Sequence, residues 1–260
     1  MSYLHKDVTT NQITAMNFIP PKDEAIVRLK ASGTVSCGIP AIINTDGTVS
    51  SVTRTALTEA AGSIVQYEAG ATHDQDIVYD SANDKVVIFY RDAGNSDYGT
   101  AVVGTVSGAS ISFGTPVVFE SAYADNIAAT FDSSNNKVVV GYRDTGNSNA
   151  GTAIIGTVSG TSISFGTAVV FESGNTSNSM GMSFDTSANK VVIAYRDGGN
   201  SNYGTAIVGT VSGTSISFDT ETNFSGSNAV AQTGAAFDSN ANKVVIAFMN
   251  DTDSNNRGEG

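Results

Sequence analysis

Short runs of β-branched and aromatic residues alternate with turns rich in glycine, asparagine, aspartate and serine through most of the chain. In residues 127–173 the runs are IAATFD, KVVVGYRD, TAIIGTVS and ISFGTAVVFES. Such runs, bounded by turn residues, are typical of β-strands, whereas no stretch has the i, i+3, i+4 apolar spacing of an amphipathic helix. The pattern therefore predicts an all-β chain.

This four-strand pattern recurs along the chain at a step of about 53 residues. It is marked by an aspartate before a turn and a lysine after it: Asp80, Asp132, Asp185 and Asp238, with Lys85, Lys137, Lys190 and Lys243. Four antiparallel strands in about 50 residues form the blade of a β-propeller. We therefore predict a β-propeller of four-stranded blades.

Residue size predicts the order of the strands within a blade. The first strand of each repeat carries small residues such as Ala128 and Gly181, which suit a crowded position near a propeller axis. The run that ends in Phe119, or in Phe171 in the next repeat, would then be the outer strand. On this interpretation the loop after Asp144 and the loop after Glu172 emerge on the same side of the sheet.

The first part of the chain does not share the repeat. Residues 1–24 are polar and predict an extended arm, and the alternation in residues 24–30 favours a strand. Residues 39–43 and 48–52 flank Asn-Thr-Asp-Gly, a hairpin turn in which Gly47 tolerates positive φ. We predict an arm and small β unit in residues 1–46, and propeller repeats in residues 47–260.

The number of blades stays open at this point. Residues 62–70 resemble the end of a repeat, with Tyr67 in the place of Phe119. Residues 47–69 and 234–250 could together complete one blade, which gives four blades. A longer parent chain of six to eight blades is the alternative.

Composition narrows the classes of function. The chain has a formal net charge of −12 and one cysteine, Cys37. The acidic balance argues against nucleic-acid binding and against anionic membrane surfaces, since both need clustered Lys and Arg. No apolar run approaches the length of a membrane span, and the N-terminus does not have the pattern of a secretory signal peptide.

Two sets of residues are candidates for ligand binding. Arg91, Arg143 and Arg196 end the second strand of successive repeats and could contact an anion or a sugar. Alternatively, each arginine pairs with a carboxylate such as Glu120 or Glu172, and the aspartate beside it caps its own loop. The other candidates are aromatic residues predicted to lie in loops, where they could stack on a sugar ring: Tyr98, Tyr123 and Tyr203.

A calcium site is a further hypothesis. Asp251, Asp253 and Asn255 place oxygen-bearing side chains at alternate positions, as hard cations require. Turns rich in asparagine, glycine and serine explain the same residues without a metal, so we expect no resident cofactor. We also expect no catalysis, because His5 and His73 are isolated and no carboxylate pair stands outside the repeat.

The run KVVIAYRDGGNSNYGTAIVGTVSGTSISF (residues 190–218) and its near-copies resemble repeat proteins of marine bacteriophages, identified as tail-fibre or virion structural proteins. Residues 31–52 are similar to the small β modules of capsid-decorating or fibre-attachment proteins. The resemblance implies a role on a phage particle, and release by lysis would not require an export signal.

We therefore expect a non-enzymatic virion protein, either a tail fibre or a capsid decoration. Residues 1–46 would attach it to other virion proteins as a homo-oligomer, and its loops would bind host-surface glycans. The alternatives are a secreted bacterial lectin-like propeller and a glycan-processing enzyme. The sequence does not decide between head and tail, and it does not identify the ligand.

Overall fold

A computed structural model of the chain describes residues 5–7, 12–15, 27–31, 41–51, 62–252 and 257–260. The chain divides into two compact units, Met1–Ala60 and Ala61–Gly260. The division falls beyond the predicted boundary at residue 46, because residues 48–51 form part of the sheet of the first unit. The described fold is all-β, as predicted.

The first unit contains a five-stranded sheet in the order β1-β2-β3-β5-β4. Its strands are β1 (His5–Asp7), β2 (Gln12–Ala15), β3 (Val27–Ala31), β4 (Ala41–Ile43) and β5 (Thr48–Ser51). Of the extended arm predicted for residues 1–24, the described residues 5–7 and 12–15 instead form the paired strands β1 and β2. The predicted hairpin is confirmed: β4 pairs antiparallel with β5, and Gly47 has a φ of 79°.

The second unit contains the repeats. Its strands are β6 (Thr72–Asp80), β7 (Lys85–Asp92), β8 (Tyr98–Ser107), β9 (Ser110–Phe113), β10 (Val117–Asp132), β11 (Lys137–Asp144), β12 (Ala150–Ser159), β13 (Ser162–Phe165), β14 (Val169–Asp185), β15 (Lys190–Asp197), β16 (Tyr203–Ser212), β17 (Ser215–Phe218), β18 (Thr222–Asn223), β19 (Val230–Asp238), β20 (Lys243–Asn250) and β21 (Gly258–Glu259). The helical segments described are two three-residue 3-10 turns, Ala93–Asn95 and Thr145–Asn147, so no described helix could span a bilayer.

Each complete repeat is an antiparallel sheet with four strand positions. In the first repeat β6 pairs with β7 and β7 with β8, and both β9 and the first part of β10 pair with β8. The rest of β10 is then the first strand of the second repeat, where it pairs with β11. β14 links the second and third repeats in the same way. The fourth repeat is represented by β19, β20 and β21.

The turn between the first two strands has the same hydrogen bonds in each repeat, which explains why its aspartate recurs at a regular spacing along the chain. The Asp80 carboxylate accepts hydrogen bonds from the amides of Ala82 and Asn83 at 3.0 and 3.1 Å. Asp132, Asp185 and Asp238 accept the equivalent pairs. The last turn residue has positive φ in every repeat, which Asn and Asp tolerate better than other side chains.

Consecutive repeats pack face to face through two apolar clusters. One cluster joins Val87 and Phe89 of the first repeat to Val140 and Val158 of the second. The other joins the opposite face of the second repeat to the third: Val139, Ala153 and Ile155 with Phe184, Ile193 and Val211. Both faces of the second repeat are therefore buried, which explains why its strands are apolar at nearly every position.

A pair of aromatic rings marks each junction between repeats. The ring centroids lie 5.2 to 5.3 Å apart in the pairs Tyr67–Tyr90, Phe119–Tyr142, Phe171–Tyr195 and Phe224–Phe248. In each pair the first ring belongs to the end of one repeat and the second to the next. The predicted equivalence of Tyr67 and Phe119 is therefore confirmed.

Candidate functional site

The candidate residues gather where the second strand of each repeat ends, and we call this the strand-end side. It contains residues 91–98, 143–150 and 196–203, together with the middle segments of β10 and β14. The Ala124 amide donates to the carbonyl of Asp97 at 3.2 Å, and the Thr176 amide donates to that of Asn149 at 3.0 Å. The two predicted loops of a repeat therefore lie side by side, as expected.

The aspartates that follow the arginines cap their own loops. Asp92 Oδ1 accepts the amides of Gly94 and Asn95 at 3.0 and 3.1 Å. Asp144 and Asp197 each accept the amide three residues later, at 3.1 and 3.0 Å. This agrees with the structural alternative considered for these positions, in which the aspartate stabilises a tight turn.

The three arginines form ion pairs, but with partners other than those predicted from the sequence. Arg91 contacts Asp74 at 3.0 Å and Asp97 at 3.2 Å. Arg143 holds Asp125 with two nitrogens, Nε at 2.7 Å and Nη2 at 2.5 Å.

Arg196 lies 3.6 Å from Asp251. Glu120 and Glu172, the partners suggested by the sequence, are not in these ion pairs. For Arg143 the reason is geometric. A bulge between Asp125 and Ala128 shifts the register of β10, so Asp125 lies opposite Arg143 in the ladder.

The predicted tyrosines lie in strands rather than loops. Tyr98 begins β8, Tyr203 begins β16, and Tyr123 lies within β10, where it pairs with Tyr98. β10 continues through residues 122–126, which the sequence indicated as a loop, with a register shift on each side of residues 123–125. Tyr98 and Tyr203 are half-buried, whereas 37% of Tyr123 is exposed.

The structure brings two of the predicted residues into direct contact. Arg91 Nη1 donates to the Tyr123 hydroxyl at 2.5 Å, and the guanidinium carbon lies 4.5 Å from the centre of the Tyr123 ring. With Asp74, Asp97 and Tyr98 alongside, this arrangement places an exposed aromatic ring among charged groups, and we call it the Arg91 cluster. Arg143, Arg196 and Tyr203 belong to later repeats and lie outside it.

A buried tyrosine in each complete repeat bonds to a glutamate, which the sequence reasoning missed. The hydroxyls of Tyr90, Tyr142 and Tyr195 donate to Glu68, Glu120 and Glu221 at 3.3, 2.9 and 2.8 Å. Burial, followed by the neighbouring carboxylates, raises the pKa of all three tyrosines well above the ordinary value. The available signal was the glutamate that follows the aromatic residue in the YE and VVFE runs.

The third repeat departs from this pattern, and three carboxylates converge there. Oxygens of Glu172, Asp197 and Glu221 lie within 4.8 Å of one another, close enough for one hard cation to contact all three. Burial is the main cause that raises the pKa of Glu172 and of Asp197, and the neighbouring carboxylates raise both further. Glu221 stands where earlier repeats have Pro116 and Ala168, so this acidic group is an addition to the repeat.

The calcium ligands predicted from the sequence are only partly described. Asp251 pairs with Arg196, so part of its charge is already compensated. Asp253 and Asn255 lie outside the described residues. The calcium hypothesis for these three residues stays a prediction.

No protein-family model matches the chain, and a search of curated proteins gives no significant match.

Proposed function

We propose that the chain is a non-enzymatic structural protein of a bacteriophage particle, a tail fibre or a capsid decoration, that contacts host-surface glycans through its strand-end side. The observation that carries the glycan part is the Arg91 cluster, where 37% of Tyr123 is exposed beside a guanidinium and two carboxylates. The phage part is supported by the resemblance of the repeats to phage proteins.

We further propose that the repeats are consecutive blades of a β-propeller. Support comes from the four-stranded antiparallel sheets, from the face-to-face packing of the first three repeats, and from the strands β10 and β14, each of which leads out of one sheet into the next. A propeller consists of such sheets packed around an axis. In this arrangement the strand ends of all repeats face the same side, and their loops form one surface.

The chemistry of the Arg91 cluster suits a sugar. An exposed tyrosine ring can pack against the apolar C–H face of a pyranose, while arginine and aspartate side chains exchange hydrogen bonds with its hydroxyls. One such contact is weak. Many copies on one particle would convert weak contacts into firm attachment by raising the effective concentration.

We also propose that the first unit attaches the protein to the particle by binding other virion proteins. It has its own five-stranded sheet and forms a compact unit of residues 1–60. We expect that a chain lacking residues 1–60 keeps the fold of the repeats but no longer enters particles. Incorporation of the truncated chain at the full-length level would contradict this assignment of roles.

Immunogold electron microscopy of the source material, with antibody against residues 70–260, tests the particle role directly. Gold on phage-like particles is the expected result, and its position separates head from tail. Gold on cells or free in the medium would contradict the proposal and favour a secreted lectin-like protein, which would use the same Arg91 cluster.

Binding of the full-length chain to an array of host-surface glycans tests the cluster. Tyr123→Ala should weaken binding about 10-fold, because the stacking surface is lost. Tyr203→Ala, the same substitution on the strand-end side of the third repeat, shows whether an effect belongs to the Arg91 cluster or to the strand-end side as a whole. Equal binding by both variants and the unaltered chain would exclude the cluster as the sugar site.

A further inference from the structure

Among the described residues 62–252 and 257–260, the array of repeats ends in two exposed apolar sheet faces. Ile77, Tyr79 and Val106 of the first repeat share one face and are 60%, 55% and 57% exposed. We call this the leading face. Val245, which is 53% exposed, and Ala247 lie on the outer face of the fourth repeat, which we call the trailing face.

Inside the array, the equivalent positions are buried or half-buried rather than exposed. Val158 and Val211, the equivalents of Val106, are 6% and 7% exposed. Val87 and Val139, the equivalents of Val245, are fully buried. Within the chain, the leading face of one repeat therefore packs on the trailing face of the repeat before it. The two open faces are one of each kind.

Side-chain volumes at these junctions are complementary. Between the first and second repeats, the large Phe89 stands on the trailing face and the small Ala129 on the leading face of the same cluster. Between the second and third repeats the sizes are reversed: the Cβ position of Gly141 lies 3.0 Å from Met182 Sδ. The open faces offer the second combination, since Ala247 is at the position of Gly141 and Ile77 is at the position of Met182.

The trailing face also carries a shallow, open depression. A groove of about 600 Å³ runs along β19, β20 and β21, and its lining includes Gly234, Ala247 and Met249. In the completed junctions this is the side on which the next repeat packs.

Strand complementarity points the same way. Tyr67 packs on Tyr90 as Phe119 packs on Tyr142, so residues 62–67 occupy the place of the last strand of a preceding repeat. A Cβ added to Gly62 would lie against the carbonyl of Ala109, and a Cβ added to Gly114 would lie against the carbonyl of Thr161. The two glycines therefore have equivalent surroundings. The described residues of the fourth repeat form its first two strands and the start of its third strand, β21. Residues 62–67 thus correspond to the last strand of a repeat, whereas the fourth repeat is described by its first strands.

We propose that the trailing face of one copy of this chain binds the leading face of a second copy, so that Ile77 and Tyr79 cover Val245 and Ala247 head to tail. Residues 62–67 of the second copy then lie at the last-strand position of the first copy's fourth repeat. A head-to-tail contact of this kind is heterologous and builds closed rings or open fibres. This inference uses only packing among the repeats, so it stands or fails separately from the role on a phage particle.

Sedimentation velocity of the full-length chain over a range of concentrations tests this. We expect the mass to exceed the monomer and to rise with concentration. Ile77→Asp on the leading face and Val245→Asp on the trailing face should each raise the apparent dissociation constant about 100-fold or more, because the junction would bury an unpaired carboxylate. Val170→Asp, an exposed valine of an interior repeat (43% exposed), is the matched control and should assemble normally.

Mixing the two variants gives the sharpest result. Each variant alone lacks one of the two faces and should stay monomeric, whereas the mixture should form a heterodimer and nothing larger. If Val245→Asp alone kept the assembly that Ile77→Asp abolished, the contact would be isologous and the proposal wrong. A monomeric unaltered chain at all concentrations, as expected if both faces meet within one chain, would also overturn it. Ala247→Arg replaces Val245→Asp if that variant does not fold.

Discussion

The strand ends of the second and third repeats have nearly the same amino-acid sequence, but they differ in their ion pairs and in the number of carboxylates. In the second repeat Arg143 holds Asp125 with two bonds, and a single glutamate, Glu120, bonds Tyr142. In the third repeat Arg196 has a looser ion pair at 3.6 Å, and three carboxylates converge beside Tyr195. A repeat can therefore keep its fold while one added acid, Glu221, changes the charge balance of its site.

The largest difference between the two regions should appear when their arginines are removed. Arg143→Met should reduce the free energy of unfolding by about 3 kcal/mol, because Asp125 is left buried without its partner. Arg196→Met should cost only about 0.5 kcal/mol, since the side chain of Asp251 is 38% exposed and reaches water. Urea denaturation of the two variants measures both values. Equal losses would show that the two ion pairs are equivalent.

The glutamates should give effects of opposite sign. Glu120→Gln weakens a charge-assisted bond to the buried Tyr142 and should destabilise the fold by about 1 kcal/mol. Glu172→Gln removes one of three crowded negative charges and can donate to a neighbouring carboxylate, so the midpoint of thermal unfolding at neutral pH should rise by about 2 °C. A lower midpoint for Glu172→Gln would show that the cluster is not strained by its charge.

The smallest effect is a pH dependence to which the third repeat contributes, together with Asp76 and Asp125 of the earlier repeats, whose pKa values burial also raises. Because the pKa values of Glu172 and Asp197 are raised in the folded state, the folded protein takes up protons at a higher pH than the unfolded chain. Stability should therefore increase as the pH falls from neutral through these raised values. The advantage of Glu172→Gln over the unaltered chain should disappear over the same range, as measured by urea denaturation at a series of pH values.

Further acidification should reverse this trend. Hydrogen bonds from turn groups lower the pKa of Asp185 and Asp238, so their contribution is present above the unfolded value and is lost as the pH falls through the folded one. Stability that fell steadily from neutral pH downward would contradict the first half of this prediction.

Sequence reasoning predicted the elements whose causes are local. The turns at Asp80 and its equivalents and the hairpin at Gly47 both follow from residue types within a few positions of the turn. The ion-pair partners of the arginines do not follow from residue types in this way. Asp125 reaches Arg143 only because a bulge alters the register of β10.

The cluster of three carboxylates in the third repeat could not be predicted either, because it depends on contacts between distant parts of the chain. Glu172, Asp197 and Glu221 are far apart along the chain, and their meeting depends on how one repeat packs against the next. The sequence does show that Glu221 departs from Pro116 and Ala168, and such departures from a repeat are the positions to inspect first.

The shared strands have a consequence for rebuilding the protein. β10 is 16 residues long and β14 is 17, and each belongs to two successive sheets. A cut between sheets would therefore sever a strand, whereas a cut in the turn before Lys85 and its equivalents would leave every strand whole. The unit to duplicate, delete or exchange is thus the segment from one Asp-capped turn to the next, such as residues 84–135, and not the four-stranded sheet itself.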